Sequence, residues 1–423
     1  MELVFLMLLK SIGATLIITG TAVGAGMLAI PLVTASFGFL DSALLLIFCW
    51  ALMLYTAMQI LEVNLAFPRT ASFSTMAIKT TGPIGAVITW ISLCLLLFAL
   101  TAAYITGGSD LLGNLFSHVF SSISPKSFQI SHGFCVLIFT VFLGGFVFFG
   151  TRPVDYLNRV LMFIKLGAFF VLVFLLLPHV NFHKSGLITS QIALSQHFHH
   201  SVDIYKLLLA VPILMTSFGF HPVIPSIRYY IGEHPRRLRW IIGVGCTLPL
   251  VIYLLWELCT LCVLPSQGSG SLSYLVSQGG SVGEMVTLLE NYLNNNWIKF
   301  FINLFTDIAI TTSFLGVTLG LFDFLLDGLK ISKSQYFLKF LVWFLMFLIP
   351  ALVALFYPSG FVKVLACASV FVAVLLLILP AWMAYQHRKL KAKISRFNYT
   401  YWGLFFTFFI GVGVIVLALL SCL

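Results

Sequence analysis

The chain has 423 residues, of which 60% are hydrophobic and only 9% are charged, and its net charge is +10. Soluble domains carry about 25% charged residues. A soluble chain of this length would form about three domains, and each would need a polar surface. The composition therefore excludes a soluble enzyme, a disordered chain and a nucleic-acid-binding protein. Long continuous apolar runs also exclude an outer-membrane barrel, whose strands alternate, and predict an all-α polytopic membrane protein.

Eleven apolar stretches are long enough to cross a bilayer as helices, which takes about 20 residues each. They cover residues 8–38, 42–66, 84–108, 131–150, 154–177, 203–231, 238–264, 298–327, 337–356, 361–386 and 400–421. The first stretch is predicted to be a permanent span and not a cleaved signal peptide, because its apolar run continues past Gly26 and Pro31.

The basic residues are distributed unevenly over the predicted loops. If the N-terminus lies in the cytoplasm, most of the 23 Lys and Arg residues fall on inner loops or inner helix ends. Those on outer segments are Lys126, Lys184, Lys206, Lys299 and Lys363. The positive-inside rule therefore predicts the N-terminus inside and the C-terminus outside. The rule also explains the net positive charge, because the basic residues orient the protein in the membrane, and no nucleic acid is expected as partner. The dense basic run 387–393 is predicted to face anionic lipid.

Two spans contain helix-breaking residues at mid-membrane depth. The first span reads GTAVGAGMLAIP over residues 20–31, and the sixth reads TSFGFHPVIP over residues 216–225. When Thr21 is aligned with Thr216, Gly24 falls on Gly219, and each break lies in the first helix of a five-helix set. An odd number of helices inverts the second set. We therefore predict two inverted repeats, residues 1–177 and 203–386, followed by an eleventh helix at 400–421.

Paired breaks of this kind are typical of secondary transporters. Backbone groups freed inside a membrane must find partners in protein, ligand or ion. Freed amides attract a carboxylate and freed carbonyls attract an ammonium group, so two facing breaks suit a zwitterion. The alternative is a pair of purely structural kinks.

Lys165 is the basic residue that no topological rule explains. It lies 11 residues into the fifth span, roughly 16 Å deep in a core of about 30 Å. An ionisable residue at that depth indicates a functional site by default. It could carry the coupling proton, stand as a fixed cation where another transporter holds Na⁺, or simply satisfy the carbonyls of a broken helix.

Other polar residues at depth allow two interpretations. Asp307 and the hydroxyls of Thr312 and Ser313 in the eighth span could hold a cation or a substrate headgroup, although such hydroxyls also bond to their own helix. Glu257 could serve a gate or the structure, whereas Glu62 is predicted to be interfacial or paired. The Cys259–Cys262 pair is predicted to fill the core, and the His-rich segment 196–200 to be a solvated loop, so no metal and no cofactor are expected.

Aromatic and titratable residues lie in or near the predicted breaks. Tyr104 in the third span could give its hydroxyl to a substrate carboxylate, or act as an interfacial anchor. His221 lies in the second break, where its ring could bond to substrate or carry a proton. Phe218 and Phe220 flank the same break and could form the walls of an aromatic pocket.

The motifs at residues 20–31, 100–105, 216–221 and 312–316 resemble the aromatic and hydroxy amino acid permease family of bacterial inner membranes, and the resemblance covers nearly the whole chain. It implies a LeuT-type core of eleven helices and proton-driven import of an aromatic amino acid by alternating access. The ring could be that of tyrosine, which is expected first, or of tryptophan. A broader aromatic permease and a Na⁺-coupled variant stay open as alternatives.

The resemblance also implies roles for individual residues. The substrate backbone would be met by Val23, Gly24, Ala25 and Gly26, its carboxylate by Tyr104, and its side chain by Phe218, Gly219 and Phe220. Thr312 and Ser313 match hydroxyls that hold Na⁺ in sodium-coupled relatives, and Lys165 matches a lysine that proton-coupled relatives use instead. The HExxH motif of zinc enzymes is absent, so the resemblance to a permease family has no enzyme signature of that kind against it. The expected partners are the aromatic amino acid, a proton and lipid, with the oligomeric state left open.

Overall fold

The computed structural model describes residues 2–123, 131–181, 204–265, 268–332, 335–390 and 401–422. Within these residues all regular elements are helices. They are α1 (Glu2–Ala22), α2 (Gly26–Thr34), α3 (Phe39–Leu65), α4 (Phe73–Ile123), α5 (His132–Phe148), α6 (Thr151–Leu176), α7 (Ile204–Ser217), α8 (Ile224–Ile231), α9 (Pro235–Leu261), α10 (Leu272–Ser277), α11 (Val282–Leu293), α12 (Asn296–Gly328), α13 (Tyr336–Phe356), α14 (Phe361–Ala373), α15 (Leu379–Leu390) and α16 (Tyr401–Cys422). The predicted loop at 196–200 lies outside the described residues.

Both predicted helix breaks are present. The first span ends as α1 at Ala22 and resumes as α2 at Gly26, with a bend of 50° between the halves. The sixth span ends as α7 at Ser217 and resumes, after a 3-10 turn at His221–Val223, as α8. The glycines weaken the helix, and a proline cannot donate a backbone hydrogen bond, so the helical ladder stops where the sequence predicts.

The fold class is confirmed as an all-helical membrane protein. By length and composition, nine helices among the described residues could cross a membrane, or ten spans if the bent pair counts as one. His132–Phe148 is a further apolar helix, which is shorter than these nine. The predicted count of eleven requires this helix to cross as well, and that count, the inverted repeats and the orientation of the termini stay predictions.

The third span is longer than its hydropathy indicates. Helix α4 extends from Phe73 to Ile123, well beyond the predicted 84–108, and it is interrupted at Gly82, whose φ of +75° favours glycine. The segment between α9 and α12 also contains two short helices, α10 and α11, which hydropathy does not predict because neither is long enough to be a membrane span. Both departures lie outside the apolar runs, where hydropathy carries no information about helix ends.

The broken spans lie at the centre of the helix packing. Helix α1 packs on α9, and α2 packs on α7, while α12 packs on both α6 and α4. The last helix, α16, packs on α14, to which it is joined by a disulfide between Cys367 and Cys422. This arrangement places the two breaks side by side, with α6, α9 and α12 around them.

Buried charges join the helices at the predicted inner side. The Glu62 carboxylate accepts a hydrogen bond from the Arg388 guanidinium at 3.0 Å, and both side chains are buried. The interpretation of Glu62 as paired is therefore confirmed. Arg228 of α8, which sequence reasoning left as a topology signal, is buried and donates to the carbonyls of Asn64 and Phe67. The inner end of α8 is thereby fixed to the end of α3.

Candidate substrate and cation site

The first break packs so closely against its neighbours that two of its glycines leave little room for a side chain. A Cβ atom on Gly24 would lie 2.5 Å from the Ser313 hydroxyl oxygen, and one on Gly26 would lie 3.1 Å from that of Ser217. The close approach lets the freed Ala25 amide donate to the Ser313 hydroxyl at 2.8 Å. The Ser313 hydroxyl therefore satisfies one of the backbone amides that the break leaves without a helical partner. This hydrogen bond places α12 directly against the break.

Lys165 reaches the same break from α6. Its side chain is buried, and its ammonium nitrogen donates to the Val23 carbonyl at 2.8 Å and to the Thr312 hydroxyl at 3.3 Å. Thr312 in turn donates to the Ile308 carbonyl at 2.9 Å. The structure thus brings Val23, Lys165 and Thr312 together, three residues that the sequence placed on different spans. A cation here is stabilised by a carbonyl dipole and a hydroxyl, without a carboxylate partner among the described residues.

Tyr253 of α9 joins the two breaks and was missed by sequence reasoning. Its fully buried hydroxyl lies 2.7 Å from the Ala22 carbonyl, at the end of α1, and 2.6 Å from the Ser217 carbonyl, at the end of α7. One hydroxyl proton serves two carbonyl oxygens. The signal that could have found it is its spacing of four residues before Glu257, which places both polar side chains on one face of an apolar helix.

The aromatic residues of the second break are fully buried. The Phe218 ring lies 5.0 Å from the Tyr253 ring in an edge-on arrangement, and Phe220 lies 5.0 Å from the His221 ring. Tyr104 of α4 is also buried, and its hydroxyl makes no hydrogen bond to any described residue. A polar group of this kind beside the breaks is available for a ligand.

Two predicted site residues face other partners. The imidazole Nε2 of His221 lies 2.8 Å from the Thr56 hydroxyl on α3, so its ring is directed towards that helix, and its Nδ1 atom has no partner among the described residues. Asp307 is half-buried on α12 and interacts with Glu290 of α11, not with Lys165. Their predicted roles in substrate binding and coupling stay predictions.

The geometry of the two breaks indicates a class of protein. Two facing broken helices, with one cation bound by carbonyl and hydroxyl groups beside them, are the features of a secondary transporter of the LeuT type. A solved structure agrees with this fold: a manganese transporter from Eremococcus coleocola matches with a TM-score of 0.60 at 19% identity, over 98% of this chain and 86% of that one.

Sequence comparison gives the family. The profile of the tryptophan/tyrosine permease family matches residues 7–421, and the chain belongs to this family. The tyrosine-specific transport system 1 of Haemophilus influenzae is 34% identical, over 93% of this chain and 92% of that protein. The tryptophan-specific transport protein of the same organism is 35% identical, over 93% and 90%. The chain is therefore a multi-span permease of the bacterial inner membrane and not an enzyme, and the predicted family is confirmed.

Proposed function

We propose that this permease imports an aromatic amino acid, L-tyrosine in the first place, together with a proton, by alternating access. The observation that carries the proposal is the position of the Lys165 ammonium group between the Val23 carbonyl and the Thr312 hydroxyl. A donor is needed there because the break frees a carbonyl that no helical amide satisfies. A lysine meets this need and can also release its proton, which a bound metal ion cannot do.

The proton of Lys165 couples to the conformation through the first break. A charged ammonium group attracts both the Val23 carbonyl and the Thr312 hydroxyl, so it draws the break towards α6 and α12. When the proton leaves, the remaining amine is a weaker donor and the charge-assisted attraction is lost. Proton release would therefore loosen the break and favour the other orientation of the two proposed inverted repeats.

The substrate is proposed to bind between the two breaks. The freed backbone groups of residues 23–26 would receive its carboxylate and amine, and the Tyr104 hydroxyl would donate to the carboxylate. Phe218 and Phe220 offer aromatic walls for a ring.

The coupling is tested by replacing Lys165 in proteoliposomes. We expect Lys165→Ala to abolish the dependence of uptake on an inward proton gradient, while Lys363→Ala, an exposed lysine, leaves it intact. Lys165→Arg keeps the charge but cannot lose its proton, so it should exchange substrate without accumulating it. Uptake that strictly requires Na⁺, or a proton dependence that survives Lys165→Ala, would overturn the proposal.

Tryptophan is the second candidate substrate. It is favoured by the similar identity of this chain to a tryptophan-specific protein and to a tyrosine-specific one. Competition decides between them: unlabelled tryptophan should displace labelled tyrosine weakly if the pocket is specific for tyrosine. Stronger competition by tryptophan than by tyrosine would reverse the assignment.

A further inference from the structure

A second buried titratable residue lies at the far end of α2 from Lys165. The Glu257 side chain of α9 is fully buried, and its Oε1 atom forms a hydrogen bond with the hydroxyl of Thr34, the last residue of α2. The Ser42 hydroxyl of α3 also faces the carboxyl group. The Oε2 atom has no partner among the described residues. The transport site described above does not use this group.

The hydrogen bonds of Thr34 indicate that Glu257 carries a proton. The Thr34 hydroxyl lies 2.8 Å from the Ile30 carbonyl, which can only accept, and the hydroxyl has a single proton to give. If that proton goes to Ile30, the contact with Glu257 is a hydrogen bond only when the carboxyl group donates. If it goes to Glu257 instead, or is shared between the two oxygens as in Tyr253, a carboxylate is buried with no cation beside it among the described residues, which is strongly unfavourable.

Among the described residues, no charged partner of Glu257 would compensate a negative charge. The helices α1, α2, α3, α6 and α8 all pack against α9. Among the described residues of these helices, the Thr34 and Ser42 hydroxyls face the carboxyl group, and Asp41 directly precedes Ser42 in the chain. The charged residues of these helices that are buried have other partners: Lys165 bonds to Val23 and Thr312, Glu62 to Arg388, and Arg228 to Asn64, Phe67 and Glu233.

Helix α9 bonds to the end of α1, just before the break, and to the last residue of α2. The Tyr253 hydroxyl donates to the Ala22 carbonyl, at the end of α1 before the break. Glu257 bonds to Thr34, at the far end of α2. Helix α2 is only nine residues long, is bent by 50° from α1 and packs on α7 as well as on α9, so the Thr34–Glu257 bond is what fixes its far end to α9. Loss of the outer contact would release the outer end of α2 while the break stays tied.

We propose that Glu257 is a proton-binding positioning residue of the outer gate: its carboxyl group must be protonated for α2 to dock on α9, and loss of that proton opens the outer side. This inference builds on the alternating access and the orientation proposed above. It adds a proton site at the predicted outer side, separate from Lys165, which would close the gate as the outside becomes acidic. The expected order is proton binding at Glu257, closure of α2, and then transfer of the substrate inwards.

Hydrogen–deuterium exchange of the full chain in nanodiscs tests the gate without measuring transport. The exchange of residues 26–34 is compared at about pH 6 and about pH 8.5, after correction for the intrinsic pH dependence of exchange. We expect the wild-type protein to exchange here about tenfold faster or more at the higher pH, because a deprotonated Glu257 cannot stay docked. Helix α8, the inner half of the other broken span, serves as the internal control.

Three substitutions separate the proton from mere packing. Glu257→Gln keeps the shape and the donor of the protonated acid, so α2 should be protected at both pH values. Thr34→Val should expose α2 at both, whereas Thr34→Ser retains the hydroxyl and should behave like the wild-type protein. Asp155→Asn, at an exposed carboxylate of α6, is the control for removal of a charge.

Two outcomes would overturn the role of Glu257. One is wild-type exchange of α2 that does not change with pH; the other is the same pH dependence in Glu257→Gln as in the wild-type protein. Neither depends on tyrosine uptake or on Lys165. The gate can therefore fail while proton coupling at Lys165 stands, and loss of coupling in the uptake assay leaves the exchange result unchanged.

Discussion

At the scale of single residues, Tyr253 shows how one side chain can hold two broken helices. Its hydroxyl proton is shared between the Ala22 and Ser217 carbonyls, which end α1 and α7. Both carbonyls lie where helical amides no longer reach them, so they depend on this donor or on a ligand. The depth of Lys165 was readable from hydropathy, whereas the role of Tyr253 was not, because tyrosine is common in membrane spans.

We expect Tyr253→Phe to reduce both substrate uptake and the melting temperature. The ring would still pack on Phe218, but the two buried carbonyls would lose their donor, which costs about 1–3 kcal/mol. Uptake kinetics and thermal unfolding in detergent measure the two effects. Tyr205→Phe, at an exposed tyrosine of α7, is the matched control. Equal behaviour of the two variants would show that the hydroxyl does not hold the breaks.

At the scale of the helices, the first break depends on the distance between two backbones. Gly24 lies against Ser313 so closely that α2 and α12 meet through a backbone amide and one hydroxyl. The three glycines predicted the break from the sequence. The structure adds that Gly24, the middle glycine, lies where a side chain would meet the Ser313 hydroxyl. The length of α4 and the helices α10 and α11 were not predictable from hydropathy, because polar helix ends and outer segments give no apolar period.

We expect Gly24→Ala to lower uptake strongly, roughly 10-fold or more, because its Cβ would overlap the Ser313 hydroxyl at a cost of about 1–3 kcal/mol. Ser313→Ala in the same chain removes the overlapping oxygen and leaves the next atom at 3.7 Å, so uptake should partly recover. Gly13→Ala is the matched control, since no atom of the described residues outside its own stretch of helix lies within 4 Å of the added carbon. A double variant no better than Gly24→Ala would contradict this account.

At the scale of the whole molecule, few charges hold the predicted inner side together. Glu62 of α3 and Arg388 of α15 form a buried pair, and Arg228 ties α8 to the end of α3. These contacts join helices from both predicted repeats on one side of the membrane. An alternating-access cycle needs such contacts to be closed on one side while the other side opens.

We expect Glu62→Ala to lower the melting temperature far more than Asp155→Ala. Removing Glu62 leaves the Arg388 charge buried without its carboxylate, at a cost of about 3–5 kcal/mol. The Asp155–Arg159 pair is exposed, and such pairs contribute about 0–1 kcal/mol. Thermal unfolding in detergent compares the two variants. Equal losses would mean that the buried pair adds nothing beyond a surface pair.

The sequence by itself determined the membrane class, the approximate spans, the two breaks and the unusual depth of Lys165. All of these follow from apolar runs and helix propensities, which act along the chain. Only the tertiary structure decided what the polar residues bind. Tyr253 contacts Ala22 across 231 positions, and Glu257 contacts Thr34 across 223. A hydrogen bond requires two atoms within about 3 Å of each other, and such distances between remote segments are set by helix packing, which no local pattern encodes.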